Sequence, residues 1–192
     1  MPRFIHGIAY KNHKIFFEYD ANFLTTGLQL SPFKLPLKAG VFACEDRVFN
    51  GLFGIFNDSL PDGWGQLLLD RSLLKIGIRS QELTPLERLS HVGQHGMGAL
   101  IYIPDTSHKT FKNPFKELDQ IAKECLQFQQ HDENKFIDEL LAMSGSLAGA
   151  RPKIQDKNWI IKFPSIHDPK DIGAIEYAYH LMAIHAGLTV PN

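Results

Sequence analysis

Apolar and polar positions alternate in two short stretches near the start of the chain, Ile8-Ala9-Tyr10 and Lys14-Ile15-Phe16-Phe17-Glu18-Tyr19. This pattern predicts two strands, and the polar Lys11-Asn12-His13-Lys14 between them predicts the turn that joins them. The next apolar stretch, Leu30-Ser31-Pro32-Phe33-Lys34-Leu35-Pro36-Leu37, carries two prolines. They exclude a helix interior and a central strand, leaving an extended or edge segment. The pattern then changes to helical spacing at Trp64, Leu67, Leu68, Arg71 and Leu74, preceded by the competent caps Asp58, Ser59 and Asp62. A helix from about Asp62 to Lys75, ended by Gly77, follows from these signals, and capping accounts for the acids without catalysis. Another helix is predicted to begin at Thr84-Pro85, where the proline suits a first helical position and Glu87 follows closely.

Gly93, Gly96 and Gly98 precede Ala99-Leu100-Ile101-Tyr102-Ile103-Pro104, a strand-like segment. Glycines that cradle a dinucleotide open a helix, so close backbone packing explains these better. The polar stretch from Pro104 to Pro114 predicts a boundary between an N-terminal region, 1–104, and a second region, 105–192. In the second region helical spacing runs from Phe115 to Phe128 and from Asn134 to Met143, a loop and the strand Asn158 to Phe163 follow, and a helix runs from about Asp171 to Ala186. The predicted class is α+β: a small sheet-and-helix subdomain, then antiparallel strands with helices.

Composition narrows the function classes. The 192 residues are 44% hydrophobic and 21% charged with a formal net charge of -1, which is globular material with no bulk attraction to nucleic acid or an anionic membrane. Cys44 and Cys125 are too few for a disulfide scaffold or a zinc site, and no apolar run resembles a signal peptide or a membrane span, which points to a reducing cytoplasm. His91 and His95 lack the acid-bearing helical pattern of a zinc hydrolase.

The chemistry concentrates between Ser144 and Glu176. In Ser144-Gly145-Ser146-Leu147-Ala148-Gly149 the glycines let the backbone approach a ligand and the serines add hydroxyls, a set suited to polyphosphate. An ordinary hairpin connection has the same composition. The strand places Trp159, Ile161 and Phe163 on one face and Ile160 and Lys162 on the other. A lysine in a buried strand needs an anion, and Glu176, on a stripe with Ile172, Tyr179 and Ala183, is placed to supply it. Alternatively, Lys162 reaches past an edge and Glu176 complements a helix dipole.

The segments LSPFKLPL, FNDSLPDGWGQLLLDR, GMGALIYIP, SGSLAGARPK, WIIKFP and EYAYHLMAIHAGLTVP resemble, in order, the HipA family of bacterial serine/threonine kinase toxins. The resemblance covers the family's N-terminal subdomain and its small kinase lobe. It implies that Ser146, with Ser144 as a second site, is autophosphorylated; that Leu147, Ala148 and Gly149 shield ATP phosphates together with Ser144, Gly145 and Ser146; and that Lys162 binds phosphate while Glu176 positions it. It also implies ATP and Mg²⁺, an aminoacyl-tRNA synthetase as phosphorylated target, a HipB-like DNA-binding antitoxin as partner, and a bacterial cytoplasm. The large lobe, with the catalytic aspartate and the magnesium ligands, is expected to be missing, so that the chain alone is inactive. The alternative is a stand-alone regulatory or antitoxin-like binding module that docks on a cognate kinase, and a separate kinase lobe is the other partner the resemblance implies.

Overall fold

A computed structural model describes residues 7–45, 47–94, 96, 98–107, 117–130, 136–144, 147, 149–156 and 159–190. His95, most of the expected boundary segment, Gly145, Ser146 and Ala148 lie outside them. The described residues form a mixed α and β fold, as the alternating and helical patterns require.

Strands β1 (Ile8–Lys11) and β2 (Lys14–Glu18) form the predicted hairpin, and β3 (Val41–Ala43) pairs antiparallel with the other side of β2. Asn12 and His13 both take positive φ, at 51° and 59°. This is the paired left-handed conformation whose twist suits a two-residue hairpin turn, and asparagine tolerates it well. Alternate residues of β2 bury Ile15 and Phe17, and Tyr19 continues inward to donate its hydroxyl to the Leu35 carbonyl at 2.8 Å. These residues join Phe23, Leu35, Leu52, Phe53, Phe56 and Leu89 in a first core, to which the short helices α1 (Ala21–Leu24) and α2 (Gly54–Asn57) contribute.

Two expectations for this region change. The proline-rich segment is a tight turn closed by Leu35 N–H donating to Ser31 C=O at 2.8 Å, because Pro32 favours a turn and the fully buried Leu35 draws the chain inward. The stretch from Ala99 to Pro104 forms no described strand. Its alternation is still used: Leu100 and Tyr102 pack against the first core while Ile101 and Ile103 face solvent. Tyr102 also donates to Ser59 Oγ at 2.7 Å, and burial pushes its phenol up to about 12.

Helix α3 (Gly63–Lys75) ends as predicted, with Gly77 at φ 80°. Gly77 N–H donates to Leu74 C=O and Ile78 N–H to Leu73 C=O, a closing pair of bonds that needs a left-handed residue. Its buried face differs from the expected one. Leu68, Leu69 and Leu73 are buried, whereas Leu67 and Leu74 are exposed, because the helix packs along rows four residues apart, Trp64-Leu68-Ser72 and Gly65-Leu69-Leu73. After a single 3₁₀ turn at Ser80–Glu82, α4 (Pro85–Val92) starts with Pro85 as predicted. Thr84 and Glu87 cap each other reciprocally, and the Thr84 backbone N–H bonded to it holds the Glu87 carboxyl below the usual glutamate range.

A second core gathers Trp64 and Leu68 of α3 with Ile121, Cys125 and Phe128 of α5 (Leu118–Gln130), Ile137 and Leu140 of α6 (Ile137–Ser144), and Ile154 and Phe163. Arg71 lies over the Phe128 ring at 4.4 Å and donates to its carbonyl. Strands β4 (Lys153–Asp156) and β5 (Trp159–Lys162) form an antiparallel hairpin over this core, and α7 (Ile172–His185) follows. No described helix is long and apolar enough to cross a membrane.

Candidate phosphate-binding site

Register in the β4–β5 hairpin brings the site together. Lys153 stands directly opposite Lys162, and Ile154 opposite Ile161. In a strand pair, directly opposed side chains share a face. Ile154 is buried in the second core and Ile161 packs against it, which leaves the two lysines together on the other face. Like charges placed directly opposite each other destabilise a sheet unless anions compensate.

Compensation comes from outside the hairpin. Glu176, one turn into α7, accepts from Lys162 Nζ at 2.9 Å through one carboxylate oxygen and from Arg151 Nη1 at 2.6 Å through the other. Arg151 also pairs with Asp168 at 3.0 Å. The hydrogen bond from Lys162 is the main reason the Glu176 carboxyl lies below the usual glutamate range, with the Lys162 and Arg151 charges assisting against desolvation. Lys153 is buried, at 7% exposure, and its ammonium is held below the usual lysine range chiefly by desolvation, with the Lys162 charge adding to the effect and Asp62 and Glu176 opposing it.

The expected loop lies beside this face. Gly149 takes φ 105°, a backbone conformation that favours glycine, and it lies against Lys153, whose Nζ would stand 2.5 Å from a Cβ placed there. Gly149 N–H donates to an Asp62 carboxylate oxygen, and its carbonyl accepts from Trp64 N–H at 3.1 Å. Ser144 is 1% exposed; its Oγ accepts from Trp64 Nε1 at 3.1 Å and donates to the Lys153 carbonyl at 2.7 Å. Leu147 is buried and donates its N–H to the Ser144 carbonyl at 3.2 Å. Both Ser144 and Leu147 therefore bond inward, and among the described loop residues it is Gly149 whose N–H meets an anion. Among the described residues no three His, Cys, Asp or Glu side chains stand together as a metal site.

The structure thus brings Lys162, Glu176 and Gly149 into one neighbourhood, but the surroundings of the lysine differ from the expected buried strand. The Lys162 side chain is 54% exposed, Trp159 and Ile160 are exposed, and of Trp159, Ile161 and Phe163, expected together on the opposite face, Phe163 is the one that is buried. A two-stranded hairpin has only one face on the core, so the lysine both reaches solvent and pairs with Glu176. Helix α7 has no buried residue; Ile172, Glu176, His180 and Ala183 are half-buried and Tyr179 is exposed. Asp62 stands at the N-cap position of α3 yet makes no capping bond with its side chain, contrary to the expected role.

Arg151 and Lys153 escaped the sequence reading. A signal for Lys153 was present: in Lys153-Ile154-Gln155-Asp156-Lys157-Asn158-Trp159-Ile160-Ile161-Lys162 two apolar-containing runs flank a polar centre, and pairing them antiparallel about that centre sets the lysines opposite each other. No comparable signal marks Arg151, whose partners lie on two later segments.

No curated protein and no solved structure matches the chain. The family pattern described as the HipA N-terminal domain matches residues 5–103. The match takes in both sheet hairpin and α3 and ends before the loop and the two lysines. Since it spans just over half of the sequence, the chain belongs to the HipA N-terminal domain family.

Proposed function

We propose that the chain binds the phosphates of ATP as the phosphate-holding part of a HipA-like serine/threonine kinase in a toxin–antitoxin system. The observation that carries this reading is the pair of directly opposed lysines, Lys153 and Lys162, with Glu176 fixing one and Gly149 lying against the other. Two cations on one face next to a close-approaching backbone N–H suit a polyphosphate, and a lysine oriented by a helix glutamate is the arrangement kinases use on α- and β-phosphates. The protein's own part is to bind and orient: Lys162 and Lys153 supply charge, Glu176 and Arg151 set the position of Lys162, and Gly149 offers its N–H. Magnesium supplied with ATP would neutralise charge on the transferring γ-phosphoryl group. This reading assigns the magnesium ligands and the hydroxyl-activating base to a kinase large lobe, on the same chain or another. The protein serine acceptor, of the aminoacyl-tRNA synthetase class, and a HipB-like antitoxin belong to the reading through the family resemblance, as does autophosphorylation of the loop serines.

Isothermal titration of the chain with ATP and Mg²⁺ tests the proposal. Binding should be measurable and should weaken at least about tenfold in Lys162→Ala, since a hydrogen bond to a charged group contributes roughly 1.5–3 kcal/mol. Equal affinity in the variant, or no binding to either protein, would overturn it.

A second reading, a regulatory module that docks on a cognate kinase lobe, is favoured by α7. This largely apolar helix leaves Ile175, Tyr177, Tyr179, Leu181, Met182 and Ile184 exposed. Ile175, Tyr179 and Met182 form one exposed apolar stripe and Tyr177, Leu181 and Ile184 another, and exposed apolar surface of this extent marks a contact site. Co-purification of a kinase lobe with the wild-type chain, lost in Tyr179→Asp/Met182→Asp, is the outcome this reading requires.

A further inference from the structure

Around the lysine pair the charges are already balanced. Among the described residues Arg151, Lys153 and Lys162 face Asp62, Asp168 and Glu176. A phosphate added to this set meets three carboxylates as well as three cations, so its arrival is favourable only if a carboxylate gives way. Glu176 bridges two cations, and the Asp168 side chain is 10% exposed and also accepts from Ser165 N–H at 2.9 Å. Asp62 is different: it is exposed, and its carboxylate accepts from the loop backbone at Gly149.

The sequence around Asp62 is shaped for that contact. At an N-cap an aspartate ordinarily accepts from its own helix, as Asp20 does from Asn22 N–H at 2.8 Å. Asp62 has the extended backbone of an N-cap, φ -116° and ψ 173°, but makes no such bond. The next residue, Gly63, takes φ 42°, and a Cβ there would lie 2.7 Å from both Ala150 Cα and the Gly149 carbonyl. Glycine is therefore required for α3 to approach the loop, and Trp64 N–H completes the clasp on the Gly149 carbonyl. The start of α3 holds the backbone of residue 149 through both its N–H and its carbonyl.

We infer that Asp62 is a displaceable internal ligand of the phosphate loop, an autoinhibitory contact in which its carboxylate occupies the Gly149 N–H beside Lys153 until a nucleotide phosphate replaces it. The inference rests on the nucleotide reading above and adds a gate to it. Released, Asp62 can turn back to cap α3, so the helix gains a bond as the loop loses one. Because α3 lies within the HipA N-terminal domain and also packs in the second core, a partner that moves this domain would set the affinity of the loop for nucleotide.

The test is isothermal titration with ATP and Mg²⁺ of wild type, Asp62→Ser, Asp62→Asn and Lys162→Ala, with circular dichroism melting to confirm each fold. Serine and asparagine both cap helices but carry no charge. Removing one negative charge near the phosphates should tighten ATP roughly three- to tenfold. Tighter binding in either folded neutral variant is the expected result. If wild type binds, Lys162→Ala does not, and both neutral variants bind equally or more weakly, Asp62 is a positioning residue and the gate is overturned. If wild type does not bind ATP, or Lys162→Ala binds it as tightly as wild type, the nucleotide reading fails and the gate fails with it.

Discussion

The two cores satisfy their polar groups in different ways. Around the first, the helix caps are local, Asp20 capping α1 through Asn22 and Phe23 and Thr84 and Glu87 capping each other, while two tyrosine hydroxyls reach further, Tyr19 to the Leu35 carbonyl and Tyr102 to Ser59. Around the second, side chains of one helix and its cap reach distant partners: Trp64 bonds Ser144, Ser72 bonds Asp138, Arg71 bonds Phe128, and Asp62 bonds Gly149. Lys153, the buried charged residue among those described, also belongs to the second region. Local caps stabilise an element wherever it packs. A long-range bond between buried groups tolerates only one placement of the elements, because displacement leaves a donor or acceptor without a partner at a cost of about 1–3 kcal/mol. The second region thus gains positional definition where the lysines and the loop must be held, and its stability depends on a few shared side chains.

The largest expected effect comes from Trp64→Ala, which empties a fully buried site and removes the bond to Ser144. A loss of about 3–5 kcal/mol in urea unfolding is expected. Hydrogen exchange should show protection falling first in α5 and α6; an equal fall in the β1–β3 sheet would mean that the two cores unfold as one and would break the comparison. Ser144→Ala keeps the volume nearly unchanged but leaves Trp64 Nε1–H and the Lys153 carbonyl each short of this partner. Denaturant unfolding should register a loss of about 1–3 kcal/mol, and a loss below that of a local cap would show that the long-range bonds add little. Thr84→Ala tests the local side of the contrast. It should lower stability by about 1 kcal/mol while leaving exchange in α5 and α6 unchanged.

The smallest effect concerns acid. The Glu176 carboxyl lies below the usual glutamate range because Lys162 bonds it, so the folded state binds a proton less readily than the unfolded one. That contribution is present above the unfolded value and is lost as pH falls through the lowered folded value. With both partners substantially exposed, it should amount to under about 1 kcal/mol. Melting of wild type between pH 7 and pH 3 should therefore fall slightly more than that of Glu176→Gln. Parallel curves would place the acid sensitivity elsewhere.

Local chemistry in the sequence settled much of this protein by itself. The Asn12-His13 turn, the end of α3 at Gly77, the start of α4 at Pro85 and the Lys162–Glu176 pairing follow from residues whose backbone preference or charge acts over a few positions or one hairpin and its next helix. What tertiary structure decided was which neighbours those residues met. The turn at Pro32, the buried face of α3 and the unladdered stretch before Pro104 all depended on where a core lay. So did the site beyond Lys162 and Glu176. Arg151 found its acids on later segments, Lys153 became a buried cation only when the hairpin closed on the second core, and Asp62 left its own helix for a loop far along the chain. Period and capping describe forces between near neighbours, whereas burial and charge balance depend on all the elements that converge on a point, and that convergence exists only in the folded chain.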